Sequence, residues 1–204
     1  MWPIRPYPRD MGVENGRSSR GERLFLSLDP PKTVRIAIAS WGRGASASIR
    51  GTRPIDRGSI HMTLAFLGAR SVRERDEVIS AIEGLTRVSA VLQTDGPVWL
   101  PHHRPRVLAV EVLDPRGSLR AIRDQLLELL EEAIGWKPER PDFLPHLTAV
   151  RLGRGVEVAG LEVPPPPSLS FEAREVVLYR STLEPSGARY EVLGRFVLGS
   201  TGAA

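Results

Sequence analysis

A chain of 204 residues that is 41% hydrophobic can bury a sizeable core as one domain or two closely joined lobes. It has no cysteine, which excludes disulfides and thiol nucleophiles and fits a reducing compartment, and no apolar run approaches the ~20 residues of a membrane span. The net charge is +4, and all but Lys32 and Lys137 of the 28 basic residues are arginine, a side chain whose planar fork suits an anionic, phosphate-bearing partner.

Residues 1–22 hold prolines, glycines and arginines without the apolar stretch of a signal peptide, and read as a flexible tail on a cytoplasmic protein. Arg23 to Asp29 predicts a strand, after which Pro30-Pro31 opens a helix with Val34, Ile38 and Trp41 at i, i+4 and i+7. Gly42 to Gly51 reads as a loop. Ile60 to Leu67 is a strand ended by Gly68, and Ser71 caps a helix carrying Val78, Ile79, Ile82 and Leu85 that closes on Arg87. Strands are expected at Val88–Gln93 and Val107–Leu113. Ser118 to Ile134 is an amphipathic helix with Leu119, Ile122, Leu126, Leu129 and Leu130 on one side, stopped by Gly135. Leu144 to Val150 is a further strand, Pro164 to Pro167 a stiff connector. Glu175–Leu183 and Arg189–Leu198 form a hairpin about the turn Glu184-Pro185-Ser186-Gly187. Each half of the chain then has helical cover and one strand of a shared motif, which predicts an α+β fold of two related lobes.

That motif is the most informative feature. His61-Met62-Thr63-Leu64 and His146-Leu147-Thr148-Ala149 repeat one four-residue frame, a coincidence of about one in a hundred for a protein with so few histidines and threonines. On a strand the histidine and threonine share a face, while Ile60, Met62 and Leu64 turn into the core. Each strand thus presents a proton-transfer group beside a hydroxyl donor, and two such strands facing each other would bracket a phosphate. No cysteine, H-E-x-x-H or carboxylate at ligand spacing accompanies either histidine, so neither a metal nor any other cofactor is expected.

These segments resemble the two-histidine phosphoesterases, and among them the bacterial and archaeal RNA 2′,3′-cyclic phosphodiesterases historically called 2′-5′ RNA ligases. Arg23–Asp29 is similar to the family's opening strand, His61–Gly68 to its H-x-T-L-A-F-L-G segment and Arg104–Leu108 to its central strand. Pro145–Arg151 and Val177–Ser181 complete a match that spans residues 23–198 in the family's order. The resemblance implies one bilobal domain over 23–198, with tails at 1–22 and 199–204, in which two pseudo-symmetric lobes, each an antiparallel sheet with flanking helices, surround a central cleft lined by one motif from each. It further implies that His61 and His146 are the catalytic pair, that Thr63 and Thr148 hold phosphoryl oxygens, that Arg151 pairs with the phosphate and that Phe66 stacks on a base. Strict alternation, however, sets Phe66 on the side opposite His61.

The implied activity is hydrolysis of RNA ends or nucleotides bearing a 2′,3′-cyclic phosphate, by a monomer working away from membranes. Ligation of such ends to 5′-hydroxyls, or nucleotide binding without catalysis, are the alternatives. Met62 in place of leucine, the small Ala149 and Val150 and the extra loop pair His102-His103 depart from the family pattern.

Overall fold

The computed structural model describes residues 21–139, 142–184 and 187–199. The expected tails, apart from residues 21, 22 and 199, and the hairpin residues Pro185-Ser186 lie outside them. Among the described residues nine strands form two sheets whose strand pairs are all antiparallel. β1 (Glu22–Leu28), β3 (Met62–Arg70), β8 (Glu175–Glu184) and β9 (Gly187–Val197) make a four-stranded sheet in the order β3-β1-β8-β9. β2 (Thr52–Pro54), β4 (Ala90–Leu100), β5 (Val107–Leu113), β6 (His146–Leu152) and β7 (Ser170–Ala173) make a five-stranded sheet in the order β2-β6-β5-β4-β7. The α+β class holds, but the sheets do not correspond to halves of the chain: the first draws on both ends, and β2 from the N-terminal half borders the second.

Among the described residues three α-helices cover these sheets. In α1 (Lys32–Ala47) Val34, Ile38, Ala39 and Ala45 are buried against β6 and β2. The helix runs five residues past Gly42, where a loop was expected. Gly42 is there because the helix lies against β6: a Cβ at this position would stand 2.7 Å from the Ala149 carbonyl oxygen, so only glycine permits the approach. In α2 (Val72–Glu83) Ser71 and Glu74 form a reciprocal capping box. The helix stops at Gly84, leaving Leu85 and Arg87 beyond its end. α3 (Ser118–Ile134) has the predicted bounds, with Gly135 at φ 63° as its left-handed stop. The polyproline segment is tied down as a connector by Trp41 Nε1–H donating to the Pro164 carbonyl (2.9 Å) and Thr94 Oγ1 donating to that of Pro167 (2.7 Å).

Two strand ends differ from expectation for one reason. β3 continues through Gly68 to Arg70, with Gly68 at φ 75° beside a skipped residue in its pairing to β1. β4 likewise passes Asp95-Gly96 to reach Leu100 by a shift in its register with β5. Bulges absorb residues that end a strand on paper. The short edge strands β2 and β7 have too few residues to display an alternation.

The main core lies between the sheets and helices and contains Leu24, Leu26 and Leu28 of β1, Met62, Leu64 and Leu67 of β3, and Leu147, Ala149 and Val150 of β6. β1 is buried on both sides. Its other face carries Phe25, which packs with Val177, Tyr179 and Tyr190 in a separate apolar cluster, and this face turns toward the cleft where β3 meets β6.

Candidate active site

His61 stands immediately before β3 and His146 opens β6, so each motif threonine is the second residue along from a histidine on the same face. Beyond the threonines, strict alternation fails at the same place in both strands. In β3, Ser27 pairs with Thr63 but Leu26 with Ala65, skipping Leu64; in β6, Ala109 pairs with Thr148 but Leu108 with Val150, skipping Ala149. A skipped residue reverses the facing of all that follows. The fifth residue after each histidine, Phe66 and Arg151, therefore returns to the histidine's side.

The expectation that Phe66 faces away is thereby corrected. Its ring is 71% exposed and lies 6.1 Å from that of Phe25, itself 4.9 Å from the His61 ring. In β6 the bulge is held from outside the sheet, since the Ala149 carbonyl accepts the Ile55 N–H at 2.8 Å, giving this displaced backbone group a partner.

The two histidines approach across the sheets. The charges of Arg151 and His146 both bear on His61, and Arg151 Nη2 donates to the Tyr190 hydroxyl at 3.4 Å, joining β6 to β9 across the cleft. His146 Nδ1 is 2.8 Å from the Leu144 carbonyl oxygen; a carbonyl only accepts, so Nδ1 carries the proton and Nε2 is the available nitrogen. The His61 ring also bonds to backbone two residues earlier, that of Ser59. Thr63 and Thr148 are half-buried, and their hydroxyls have no side-chain partner among the described residues.

The surroundings of the two rings differ. His61 sits among Phe25, Tyr179 (6.1 Å) and Tyr190 (5.2 Å, edge-on). Close by is the Asp29 carboxylate, whose oxygens accept from Ser27 Oγ (3.0 Å) and the Tyr179 hydroxyl (2.7 Å). Burial lowers His61 to about 4, against the opposing pull of Asp29 and the Ser59 bond. Burial also lowers His146, opposed by the Leu144 carbonyl. Both rings are therefore neutral near pH 7. Burial, then the bond to Asp29, holds the Tyr179 phenol well above its ordinary value, so it stays a donor.

Among the described residues no aromatic cage stands behind His146. Instead Arg123 of α3 lies 4.5 Å above the Phe143 ring, steadying the segment that offers the Leu144 carbonyl. Its Nε is buried without a hydrogen-bond partner.

All six sequence-predicted residues thus lie on the cleft faces of β3 and β6, whereas His102 and His103 sit on an exposed turn after β4 without a hydrogen bond or ring contact to the pair. Sequence reasoning missed Phe25, Asp29, Tyr179 and Tyr190. The signal available for the first two was the period-2 set Phe25, Ser27, Asp29 opposite Leu24, Leu26, Leu28. Among the described residues no group of three or more His, Asp or Glu side chains is arranged to hold a metal ion, and no helix is long and apolar enough to cross a membrane.

No family model matches the sequence. Individual relatives do. The chain is 30% identical over 183 residues to an RNA 2′,3′-cyclic phosphodiesterase of Escherichia coli, covering 88% of this chain and 98% of that protein. It is 32% identical over 187 residues to the protein of the same name from Thermus thermophilus, covering 86% and 90%. Among solved structures, E. coli LigT complexed with 3′-AMP is similar with a TM-score of 0.73 at 27% identity, covering 87% of this chain and 98% of that one.

Proposed function

The chain belongs to the RNA 2′,3′-cyclic phosphodiesterase family of two-histidine phosphoesterases, and from that premise we propose that it hydrolyses the 2′,3′-cyclic phosphate of RNA ends to a 2′-phosphate, with His61 as acid and His146 as base. The observation that carries this reading is the pair of equivalent faces, His61-Thr63-Phe66 and His146-Thr148-Arg151, on strands of different sheets in contact across one cleft.

In this scheme His146 Nε2 takes a proton from water as its oxygen attacks phosphorus. The P–O3′ bond breaks on the opposite side, and His61 gives its proton to O3′. The Thr63 and Thr148 hydroxyls and the Arg151 guanidinium face the non-bridging oxygens as charge builds there. Phe66, exposed beside Phe25, is the surface on which a base stacks.

His61 enters the cycle neutral, so it acquires its proton as the phosphate binds. The phosphate's negative charge favours the imidazolium in either histidine, and Asp29 directs that proton to His61. The cleft is formed within one chain, which supports a monomer, and the absence of cysteine supports a reducing, cytoplasmic setting. Ligation runs the same steps with a 5′-hydroxyl replacing water as the nucleophile, leaving a 2′-5′ diester, and no separate observation favours it.

The test is a panel of 2′,3′-cyclic nucleotides and RNAs with cyclic ends, with phosphomonoester position identified in the product. A 2′-phosphate is expected. A 3′-phosphate would reverse which oxygen leaves, and binding without turnover would refute the reading.

A further inference from the structure

Beside His61 is a cavity of about 480 Å³ walled by Tyr179 and Tyr190 of its aromatic cage and lined by Arg35, Arg189 and Arg195, with Glu184, 3.7 Å from Arg189, as the one carboxylate among its described lining residues. It adjoins the catalytic histidine directly, since Ser59, whose backbone bonds the His61 ring, lines it too. Arg35 and Arg195 also line an adjoining cavity of about 400 Å³ at the start of α1, where Lys32 and Arg174 stand with the carboxylates Asp29, Glu172 and Glu175.

We propose that this cavity is a subsite for the phosphodiester immediately 5′ of the cyclic end, with Arg35 and Arg195 as its phosphate ligands. The inference rests on the acid role of His61. In an in-line displacement the entering water and the leaving oxygen lie on opposite sides of phosphorus. O3′ remains bonded to its ribose, so the ribose lies on the side of the acid. Its O5′, where the rest of the RNA is attached, therefore leaves the site on the His61 side, where this cavity opens.

The two arginines are already placed for that task. Both approach the same Asp29 oxygen, Oδ2 (Arg35 Nη1 at 3.8 Å, Arg195 Nη1 at 4.0 Å), and Arg195 also donates to Glu175 at 2.8 Å. Each guanidinium has five N–H donors, so such contacts orient it and leave donors for a phosphate. The size of the cavity falls within the range of small-molecule sites. Asp29 links the two sites: the carboxylate that favours a proton on His61 is the one around which the subsite arginines gather.

The experiment compares kcat/KM for adenosine 2′,3′-cyclic phosphate, the same nucleotide carrying a 5′-phosphate, and the dinucleotide ApA with a terminal 2′,3′-cyclic phosphate. We expect each substrate with a phosphate on O5′ to be preferred by about tenfold or more, as a charge-assisted contact provides. Arg35→Gln and Arg195→Gln should each cut that preference several-fold, and Arg35→Lys should restore most of it at its own position. Because Arg35 and Arg195 border Asp29, the ratio between substrates is the readout for each variant. In the wild type, log kcat/KM should fall more steeply with log salt for the dinucleotide, by about 0.7 per phosphate contact, a measurement that needs no variant to fold. Equal kcat/KM values across the three substrates, equal salt slopes, or a preference untouched in both glutamine variants would overturn the subsite. Loss of all turnover in the wild type would instead overturn the phosphodiesterase reading and the subsite with it.

Discussion

The two motif strands share a frame, a bulge and a bond from the histidine to backbone two residues earlier, yet what stands behind each imidazole is different. His61 is held in an aromatic cage of Phe25, Tyr179 and Tyr190 with a buried carboxylate at its edge. His146 is held by the peptide segment of Leu144, steadied by Arg123 over Phe143, and Asp29 is absent from the charges that act on it. Repetition in sequence made two equivalent positions. The difference lies one layer out: burial lowers both rings, and only His61 has a carboxylate, Asp29, opposing it.

The comparison breaks most visibly at the histidines themselves. His61→Ala and His146→Ala are each expected to lower kcat by on the order of 100-fold to 10,000-fold with the fold intact by circular dichroism. A variant near wild-type turnover would remove that ring from the chemistry.

Proton occupancy offers the next test. The active form has one proton shared between two groups whose free-state values both lie below 6.5, so kcat/KM should fall about tenfold per pH unit above a limb that lies below pH 6.5. Bound phosphate raises the values, so the corresponding limb of kcat should lie at higher pH. Limbs at the same pH in both profiles would contradict proton uptake on binding.

The asymmetry itself is sharpened by two carboxylates. Asp29→Asn removes the charge that favours a proton on His61, and should lower kcat by about tenfold while moving its alkaline limb to lower pH. Glu111 stands directly across from His146 in the β5–β6 register but is not among the influences on that ring. Glu111→Gln should leave the limb in place, and equal shifts from both variants would erase the distinction drawn between the halves.

A smaller effect is expected where α1 lies closely against β6. Gly42→Ala drives a Cβ into the Ala149 carbonyl, which already accepts from Ile55, and should cost about 1–3 kcal/mol in denaturant unfolding with a several-fold loss of kcat. Ala at Gly44, where a Cβ meets nothing within 4 Å, should be neutral or stabilising, by up to about 1 kcal/mol. Equal effects at the two glycines would show that the close approach is unimportant.

What could be read without coordinates follows the range of the forces involved. The α3 boundaries were legible because a 3.6-residue stripe and Gly135 are local signals, as was the placing of His61 with Thr63 and His146 with Thr148, which depends only on alternation over three residues. The bulges at Leu64 and Ala149 were not legible, since a skipped residue is a property of the pairing with β1 and β5 and leaves no mark in the strand's own pattern. That is why Phe66 was expected on the wrong face. Gly42 read as a loop residue because its reason, contact with Ala149, lies 107 positions away in the sequence. The cage around His61 draws on β1, β8 and β9 at once, and no window along the chain contains it.

The account stands on His61 and His146 acting together on one phosphorus atom, and the double variant tests that most directly. Groups that work as a unit lose their effect together, so kcat for His61→Ala/His146→Ala should be close to that of the more damaged single variant. A double-variant loss equal to the product of the two single losses would mean that the histidines act independently, and would contradict the shared site.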